Sequence, residues 1–322
     1  MKLEGSSILI TGVSGFVGPH VARALVDRGA AVHGLGPEPA LPESSTVKLA
    51  TWHSADLRHP ASLRSAISAA KPDAVVHLAG QSSAARSFEI PEETFAINAL
   101  GTWNLLEAVF QTAPRARVLV VGTSEAYGPQ PEGTRVAEDA PLRPISPYAL
   151  SKAAADAFAE VFARQHDLDV IRTRSFSHTG PGQSPMFVVP AFAQQIAAIE
   201  AGKAEPVLRV GNLEVTRDIL DVREVANAYV ALLEKGATGA AYNVCRGEGV
   251  KLTDVVSMLT RRARIQVRVE PDPARMRPAD IPFLVGDPTA IERATGWRAT
   301  VALDQTLDDV IQEWRAQGAP RG

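Results

Sequence analysis

The stretch ILITGVSGFVGPHVARAL, residues 8–25, joins an apolar strand pattern to an amphipathic helix pattern through a glycine-rich turn. The first glycine permits a tight turn, the second lets the backbone approach a pyrophosphate, and the third lets the helix pack closely against the strand. The N–H groups at the start of the helix then face the negative charge. The stretch predicts a dinucleotide site, and the alternative is three glycines that serve only the turn. The predicted cofactor contacts in this loop are Gly12, Ser14, Gly15, Phe16, Val17 and Gly18.

Outward from this turn, short apolar runs alternate with amphipathic stretches as far as residue 175. Continuous apolar strands separated by helices are typical of a parallel sheet that is buried on both faces. The pattern predicts an α/β fold with a doubly wound, Rossmann-type sheet. The predicted strands are SILITG, AVHGLG, VKLATWHSADL, DAVVHLAG, RVLVVGTS and DVIRTRSF. The predicted helices are FVGPHVARALVDRG, ASLRSAISAAKP, PEETFAINALGTWNLLEAVFQTAP and SPYALSKAAADAFAEVFARQHD.

The pattern becomes less regular after residue 175, where Pro and Gly cluster in HTGPGQSPMFVVP and later in VEPDPARMRPADIP. Between these clusters, ILDVREVANAYVALLEKG and AAYNVCRG indicate one more helix and strand of the large sheet. We therefore predict a cofactor domain of residues 1–175 plus about 219–246. Residues from about 176 to 218, plus 247–322, are predicted to form a smaller, discontinuous α/β lobe that binds substrate.

Composition excludes several classes of protein. Of 322 residues, 45% are hydrophobic and 21% charged, the net charge is −3, and basic residues are scattered, which argues against nucleic acid as a partner. Apolar runs are too short to span a membrane, and the first residues lack a signal-peptide core, so we expect a cytoplasmic protein. A lone cysteine, Cys245, rules out an internal disulfide and a Cys/His metal cluster, and we expect it to be a half-buried apolar residue.

The end of the second strand bears on the choice of dinucleotide. An acidic residue there holds the ribose 2′-hydroxyl of NAD, whereas a basic residue accepts the 2′-phosphate of NADP. The sequence VHGLGPEP has Gly36 at this position and no nearby Arg, which favours NADP while leaving NAD open. After the third strand, Asp56 is placed to meet the adenine amino group, with Leu57 beside it; the alternative for Asp56 is a turn or helix-start carboxylate.

The sequence SPYALSKAAADAF opens with a helix-start pair, Ser146 and Pro147. Tyr148 and Lys152 follow four residues apart, on one face of that helix. A phenol titrates near pH 10, and a nearby ammonium favours the phenolate, so this pair suits acid–base catalysis. The alternative is a surface lysine beside a packed tyrosine.

Together, TGVSGFVG, GTSEAYG and YALSK resemble the extended short-chain dehydrogenase/reductase family, which acts mainly on nucleotide-diphosphate sugars. The resemblance implies that Thr123 hydrogen-bonds the reacting sugar oxygen and that Tyr148 is the acid–base. It implies that Lys152 also holds the nicotinamide ribose, and it leaves Tyr127 as scaffolding. Further cofactor contacts implied by the resemblance are Leu78, Ala79, Gly80, Asn98, Phe176 and His178. Core strand and helix positions are the alternative for 78–80 and Asn98, and a loop-ordering hydrogen bond is the alternative for His178.

Three later segments, RSFSHTGPGQ, VGNLEVTRDILDV and RPADIPFLVGDPTAIERATGW, resemble the branch that contains GDP-mannose 4,6-dehydratases and GDP-4-keto-6-deoxy-D-mannose reductases. HTGPGQ and the glycine loop lean toward the reductases. Arg217 and Arg277 match arginines expected to grip the nucleotide diphosphate, and the alternative is a salt bridge with Asp218 or Asp280. Ser177 stands where the family usually has Asn. The implied substrate contacts are Ser124, Glu125, Ser177, Val188, Arg209, Arg217 and Arg277.

Three functions follow from these residues. The first is NAD(P)H-dependent reduction of the C4 ketone of a GDP-4-keto-6-deoxy-hexose to a GDP-6-deoxyhexose of the GDP-D-rhamnose type. The second is a 4,6-dehydratase or 4-epimerase with tightly bound NAD(P), in which Glu125 is the C5 base of the dehydratase. The third, a non-catalytic sugar-nucleotide or redox sensor, is disfavoured because Thr123, Tyr148 and Lys152 are all present.

The resemblance also implies a homodimer through a four-helix bundle that includes the helix of Tyr148. Small residues in SKAAADAFAEVFA would allow close helix packing between subunits. The same alanines equally suit packing on the sheet.

Overall fold

A computed structural model describes residues 1–42, 47–276 and 280–318. The strands are β1 Ser7–Thr11, β2 Ala31–Gly36, β3 Thr51–Ser54, β4 Ala74–His77, β5 Arg117–Thr123, β6 Val170–Ser175, β7 Ser177–Thr179, β8 Val207–Val210, β9 Thr216–Asp221, β10 Ala241–Val244, β11 Gly249–Lys251, β12 Arg268–Pro271 and β13 Phe283–Leu284. The helices are α1 Gly18–Val26, α2 Pro60–Ala70, α3 Ala84–Ser87, α4 Pro91–Phe95, α5 Gly101–Thr112, α6 Pro147–Gln165, α7 Val188–Glu200, α8 Val222–Lys235, α9 Leu252–Arg261, α10 Thr289–Thr295 and α11 Leu303–Gly318.

Within the described residues, seven parallel strands form the large sheet in the order β10-β6-β5-β4-β1-β2-β3. Both of its faces are covered, as the continuous apolar strands predict. In β1, Ile8 and Ile10 belong to the core beneath α1 and α8, whereas Leu9 belongs to the core beneath α2, α5 and α6. Successive side chains of a strand point to opposite faces. A strand that is buried on both faces is therefore a continuous apolar run. The doubly wound Rossmann-type fold is confirmed.

The stretch predicted as one helix over residues 91–114 is interrupted by a turn of wider winding. Helix α4 passes into a π-helical turn, Ala96–Leu100, before α5 begins at Gly101. Asn98 lies in this turn with 1% of its surface exposed, and Thr102 donates a hydrogen bond to the Asn98 carbonyl at 2.6 Å. Such π turns are frequent at functional sites because they redirect one side chain without ending the helix.

The later part of the chain contributes to both halves of the molecule. Strand β10 joins the large sheet, and α8 packs on α1, as the sequence indicates. The first residues of the predicted helix at 219 instead complete β9, which pairs with β7, β11 and β13 in a separate sheet. Ile291 of α10 packs into the core beneath α1 and α8, although it lies in the stretch predicted for the smaller lobe. The boundaries of the two domains remain predictions.

A third core belongs to the later segments of the chain. It joins helices α7, α9 and α11 with strands β8 and β9. Among the residues described, no helix combines the length and the apolar character needed to cross a membrane.

Candidate active site

The carboxyl ends of the parallel strands meet at one edge of the large sheet. Thr11 at the end of β1 is the register partner of His77 at the end of β4, and Thr123 at the end of β5 is that of Ser175. Ligands of open α/β sheets bind in the crevice outside this edge. The polar ends of otherwise apolar strands therefore define the candidate site.

The glycine loop has the geometry that a dinucleotide requires. Gly12 has φ +71°, and a Cβ there would lie 2.8 Å from Ala79 Cα. A Cβ on Gly18 would overlap the backbone of Val13, so the third glycine permits the close packing of α1 on β1. No side chain among the described residues caps the N-terminus of α1, which leaves its N–H groups for an anion. These residues fit a bound pyrophosphate.

Two contacts connect the glycine loop with the segment after β6. The ring of Phe16 stacks on His178 with centroids 6.0 Å apart, and His20 Nε2 donates to the Pro181 carbonyl at 3.3 Å. His178 Nδ1 donates to the Phe176 carbonyl at 2.9 Å, which is the loop-ordering alternative for this histidine. Burial lowers the pKa of His178, so the ring is neutral at pH 7.

The structure places a carboxylate at the end of β2 that the sequence pattern alone did not indicate. Glu38 Oε2 lies 2.7 Å from where a Cβ of Gly36 would be, beside the indole of Trp52. Trp52 Nε1 donates to the Glu38 carbonyl at 3.0 Å and holds the segment there. An acid therefore stands near the expected ribose position although Gly36 itself has no side chain.

Asp56 is engaged by its own turn. Its carboxylate accepts hydrogen bonds from the backbone N–H and the guanidinium of Arg58, and the Arg58 bonds lower the pKa of Asp56. This is the turn-carboxylate alternative, and a contact with adenine remains a prediction. Leu57 is buried against Gly101.

Helix α6 begins as predicted and presents the proposed acid–base to β5. Ser146 Oγ accepts the Ala149 N–H at 3.1 Å, and Pro147 is the first helical residue. The hydroxyl of Tyr148 lies near the side chain of Thr123, which acts to lower the Tyr148 pKa. Thr123 Oγ1 also accepts the Glu125 N–H at 3.2 Å. The structure thus joins two of the three residues predicted for the reaction.

The expected lowering of the Tyr148 pKa by Lys152 is not seen. Burial and then the charge of Glu125 raise the pKa of Tyr148, and the nearby Thr123 side chain opposes them only in part. Lys152 is 7% exposed, which rules out the surface-lysine alternative, and its Nζ donates to the Val121 carbonyl at 2.8 Å. Burial lowers the pKa of Lys152 to about 8. Tyr148 is consequently a protonated phenol at neutral pH, the form that can donate a proton.

Asn98 and Gly80 bring the end of β4 close to Lys152. A Cβ on Gly80 would lie 2.8 Å from Asn98 Oδ1 and 3.6 Å from Lys152 Nζ. Asn98 Oδ1 accepts the Gln81 N–H at 2.8 Å, and Asn98 Nδ2 donates to the Gln81 carbonyl at 3.0 Å. Leu78 and Ala79, which precede Gly80, are half-buried at the same edge. The predicted cofactor residues of this region converge.

Among the remaining residues of GTSEAYG, Tyr127 has a structural role, whereas Ser124 and Glu125 lie near the crevice. Tyr127 is fully buried, and its hydroxyl donates to Asn243 Oδ1 at 2.7 Å and accepts from Arg174 at 3.0 Å. These bonds give it the structural role predicted for it. Ser124 is buried, and Glu125 is half-buried with its charge acting on Tyr148.

Several of the predicted substrate residues are exposed, and Arg217 is paired with another side chain of the protein. Arg217 Nη2 donates to Asp280 Oδ1 at 2.6 Å, which is the salt-bridge alternative for this arginine. Arg209 is exposed, 3.9 Å from Glu270, and Ser177 is exposed on β7. Val188 begins α7 and packs against the third core, and Arg277 lies outside the described residues.

The sequence reasoning did not single out four residues of this region: His77, which it included only within the stretch VVHLAG, and Ser151, Tyr229 and Glu38. Tyr229 contacts Ser175, with the two hydroxyls 2.6 Å apart, and its proximity contributes to the raised pKa of Tyr148. A polar residue at the end of an apolar strand could have singled out His77. Within the described parts of the chain, no group of His, Cys, Asp and Glu side chains is arranged to hold a metal ion.

Comparison with known proteins is consistent with this geometry. Residues 9–310 match the model of the family described as GDP-mannose 4,6 dehydratase. The chain is 35% identical over 311 residues to a GDP-6-deoxy-D-mannose reductase of Pseudomonas aeruginosa, covering 96% of this chain and 97% of that protein. Among solved structures, RMD from Pseudomonas aeruginosa complexed with NADPH has TM-score 0.85 and 33% identity, covering 97% and 100% of the two chains. A Thermus thermophilus UDP-glucose 4-epimerase complexed with NAD has TM-score 0.85 and 31% identity, covering 96% and 98%.

Proposed function

The chain belongs to the GDP-mannose 4,6 dehydratase family, and we propose that it is an NAD(P)H-dependent reductase of the C4 ketone of a GDP-4-keto-6-deoxy-hexose. The observation that carries the proposal is the convergence of three side chains at the crevice edge: Thr123 at the end of β5, Tyr148 in the first turn of α6, and the buried Lys152 bonded to the Val121 carbonyl. The similarity to a GDP-6-deoxy-D-mannose reductase over nearly the whole chain supports the same substrate class. The product is a GDP-6-deoxyhexose of the GDP-D-rhamnose type.

In this proposal, Thr123 and Tyr148 orient the C4 carbonyl oxygen by two hydrogen bonds. NAD(P)H held by the glycine loop would supply the hydride that C4 receives. Tyr148 then transfers its phenolic proton to the oxygen that becomes the C4 hydroxyl. Lys152, with a pKa of about 8, carries a positive charge at neutral pH that stabilises the phenolate left behind.

We assign the cofactor to the glycine loop, and Lys152 and Asn98 would hold its nicotinamide half. NADPH is the preferred cofactor and NADH the alternative, since the similar solved structures contain NADPH in one case and NAD in another. Gly36 itself carries no carboxylate to repel a 2′-phosphate, whereas the carboxylate of Glu38, 2.7 Å from where a Gly36 Cβ would lie, suits a 2′-hydroxyl.

A 4,6-dehydratase is the second candidate, and the position of Glu125 favours it. The charge of Glu125 acts on Tyr148, and in this candidate function its carboxylate would be the base that removes the C5 proton. A 4-epimerase would use the same cofactor without Glu125 as a base. Both alternatives oxidise and re-reduce the cofactor within one turnover.

One experiment separates these functions. Purified protein is mixed with NADPH and a GDP-4-keto-6-deoxy-hexose, and NADPH absorbance is followed together with product analysis. A reductase consumes one NADPH per product. Conversion of GDP-mannose without added reductant, abolished by Glu125→Gln, would instead establish the dehydratase, and inertness toward both sugars would overturn the proposal.

We also propose a homodimer through α5 and α6. Leu150 and Val161 of α6 are 53% and 41% exposed, and Leu100, the last residue of the π turn before α5, is 50% exposed. Ala155 and Ala159 are buried inside the protein, whereas these larger apolar residues lie on the surface, where a second subunit would cover them. Light scattering should give a dimer for the native protein and a monomer for Leu150→Glu.

A further inference from the structure

A continuous path of hydrogen bonds runs beneath the crevice edge, from the end of β1 to the first turn of α6. At its centre is His77, an imidazole that is 1% exposed. We propose that His77 is a positioning residue, which sets the glycine turn and Asn98 at a fixed separation on either side of the cofactor. The inference rests on the proposed nicotinamide function of this edge.

Both ring nitrogens of His77 have partners on different elements. Nδ1 lies 2.7 Å from Oγ1 of Thr11, the residue immediately before Gly12. Nε2 lies 2.9 Å from Oγ1 of Thr102, in the first turn of α5. The imidazole therefore bridges the strand that leads into the glycine loop and the helix that carries the π turn.

The hydrogen bonds of Thr102 determine which ring nitrogen of His77 carries a proton. The Asn98 carbonyl can only accept, so Thr102 donates its single hydroxyl proton there, at 2.6 Å. His77 Nε2 must then be the donor to Thr102. On the other side, Thr11 Oγ1 accepts the Ala79 N–H at 3.2 Å and donates its own proton to His77 Nδ1.

The bond to Thr102 thus requires a proton on Nε2. Burial keeps the imidazole neutral, because it lowers the pKa of His77 to about 3, with a smaller contribution from the charge of Lys152, and the neutral ring accepts at Nδ1 from Thr11. Neutral histidine can accept at one ring nitrogen and donate at the other, and the rigid ring fixes the separation of these two atoms, whereas Asn and Gln carry both groups on one amide.

The path continues to the backbone of the acid–base residue. Asn98 Nδ2 donates to Ser151 Oγ at 3.0 Å, and Ser151 Oγ donates to the Tyr148 carbonyl at 2.7 Å. Any displacement of the π turn is consequently passed to the start of α6. A histidine that merely filled the core would make no such directional connection between the cofactor loop and the catalytic helix.

The test compares His77→Leu and His77→Gln with a buried control. We expect His77→Leu to raise the Kd for NADPH and to lower kcat by about tenfold or more, because small misplacements of reacting groups are costly. The KM for the sugar should not change. His77→Gln keeps one acceptor and one donor and should recover part of the loss. Thr295→Val, which removes a buried hydroxyl on α10 that bonds the Ile291 carbonyl, should lower only the Tm.

A double-mutant cycle with Thr102→Val should be strongly non-additive, since both changes interrupt the same path. ¹⁵N NMR of the native protein should detect a neutral His77 protonated on Nε2 throughout the range from pH 6 to 8. An Nδ1–H tautomer, an imidazolium, or a His77→Leu enzyme with native kinetics and a lowered Tm would overturn the inference. Failure of the native protein to bind either nicotinamide would instead contradict the proposed function, and the NMR result would still decide the tautomer.

Discussion

The proposed cofactor side and the proposed substrate side of the crevice differ in whether their side chains are buried and hydrogen-bonded within the protein. On the cofactor side, Asn98 and Lys152 are buried, and both are hydrogen-bonded to protein groups. On the proposed substrate side, Arg209 and Ser177 are exposed, and Arg217 is held in an ion pair with Asp280. A cofactor site built from fixed hydrogen bonds is pre-organised. On the substrate side, Arg217 must give up its ion pair with Asp280 before it can bind a diphosphate.

The largest expected effect concerns the residue where the two sides meet. Tyr148→Phe removes the donated proton and should lower kcat by about 10²- to 10⁴-fold, the range for general acid catalysis. The Kd for NADPH should stay near the native value, measured by fluorescence titration. Tyr127→Phe is the matched control, because its hydroxyl bonds Asn243 and Arg174 away from the crevice. Equal loss of kcat in both variants would contradict the assignment.

The second prediction tests the rigidity of the cofactor side. Gly12→Ala combines a positive φ with a Cβ 2.8 Å from the Ala79 backbone, so the turn must shift. We expect the Kd for NADPH to rise by about tenfold to 100-fold, since positioning errors of this size are costly. Gly5→Ala is a control for strain alone, because Gly5 has φ +77° with nothing within 4 Å of the added Cβ. Gly5→Ala should lower the Tm and leave the Kd unchanged.

The third prediction tests the exchange of partners on the substrate side. Arg217→Gln should raise the KM for the GDP-sugar about tenfold or more, the value of a charge-assisted hydrogen bond, without changing NADPH binding. Asp280→Asn should weaken the ion pair and leave the KM equal or lower, because the guanidinium is released to the diphosphate. Steady-state kinetics should be measured for both variants. A rise in KM for Asp280→Asn as large as that for Arg217→Gln would contradict the exchange of partners by Arg217.

The smallest effect is expected at the ribose end of the cofactor side. Glu38→Gln removes a charge next to Gly36 and should raise the ratio of kcat/KM for NADPH over NADH by about fivefold to tenfold, as for one partly exposed charge near a phosphate. Glu4→Gln, at the opposite end of the first strand, should leave the ratio unaltered. An unchanged ratio in Glu38→Gln would show that the carboxylate does not face the ribose.

Much of the fold was predictable because it depends on local pattern. The strands of the large sheet, the glycine loop and the start of α6 at Pro147 follow from apolar runs, glycine spacing and the Ser146 cap. The π turn at Ala96–Leu100 was not predictable, since residues 91–114 have an ordinary helical pattern. Only the buried bonds of Asn98 to Gln81 and Ser151 reveal why the winding changes there.

The sequence by itself determined the sheet and the dinucleotide loop, and it predicted the pair Tyr148 and Lys152, because spacing along one strand or helix fixes which side chains share a face. Thr123 was predicted from the family resemblance. Only the tertiary structure decided the electrostatics: the raised pKa of Tyr148, the carboxylate of Glu38 beside Gly36 and the pairing of Arg217 with Asp280. A charge acts through space on groups that are distant along the chain, and its effect depends on burial. Neither these distances nor the burial can be read from the order of the residues alone.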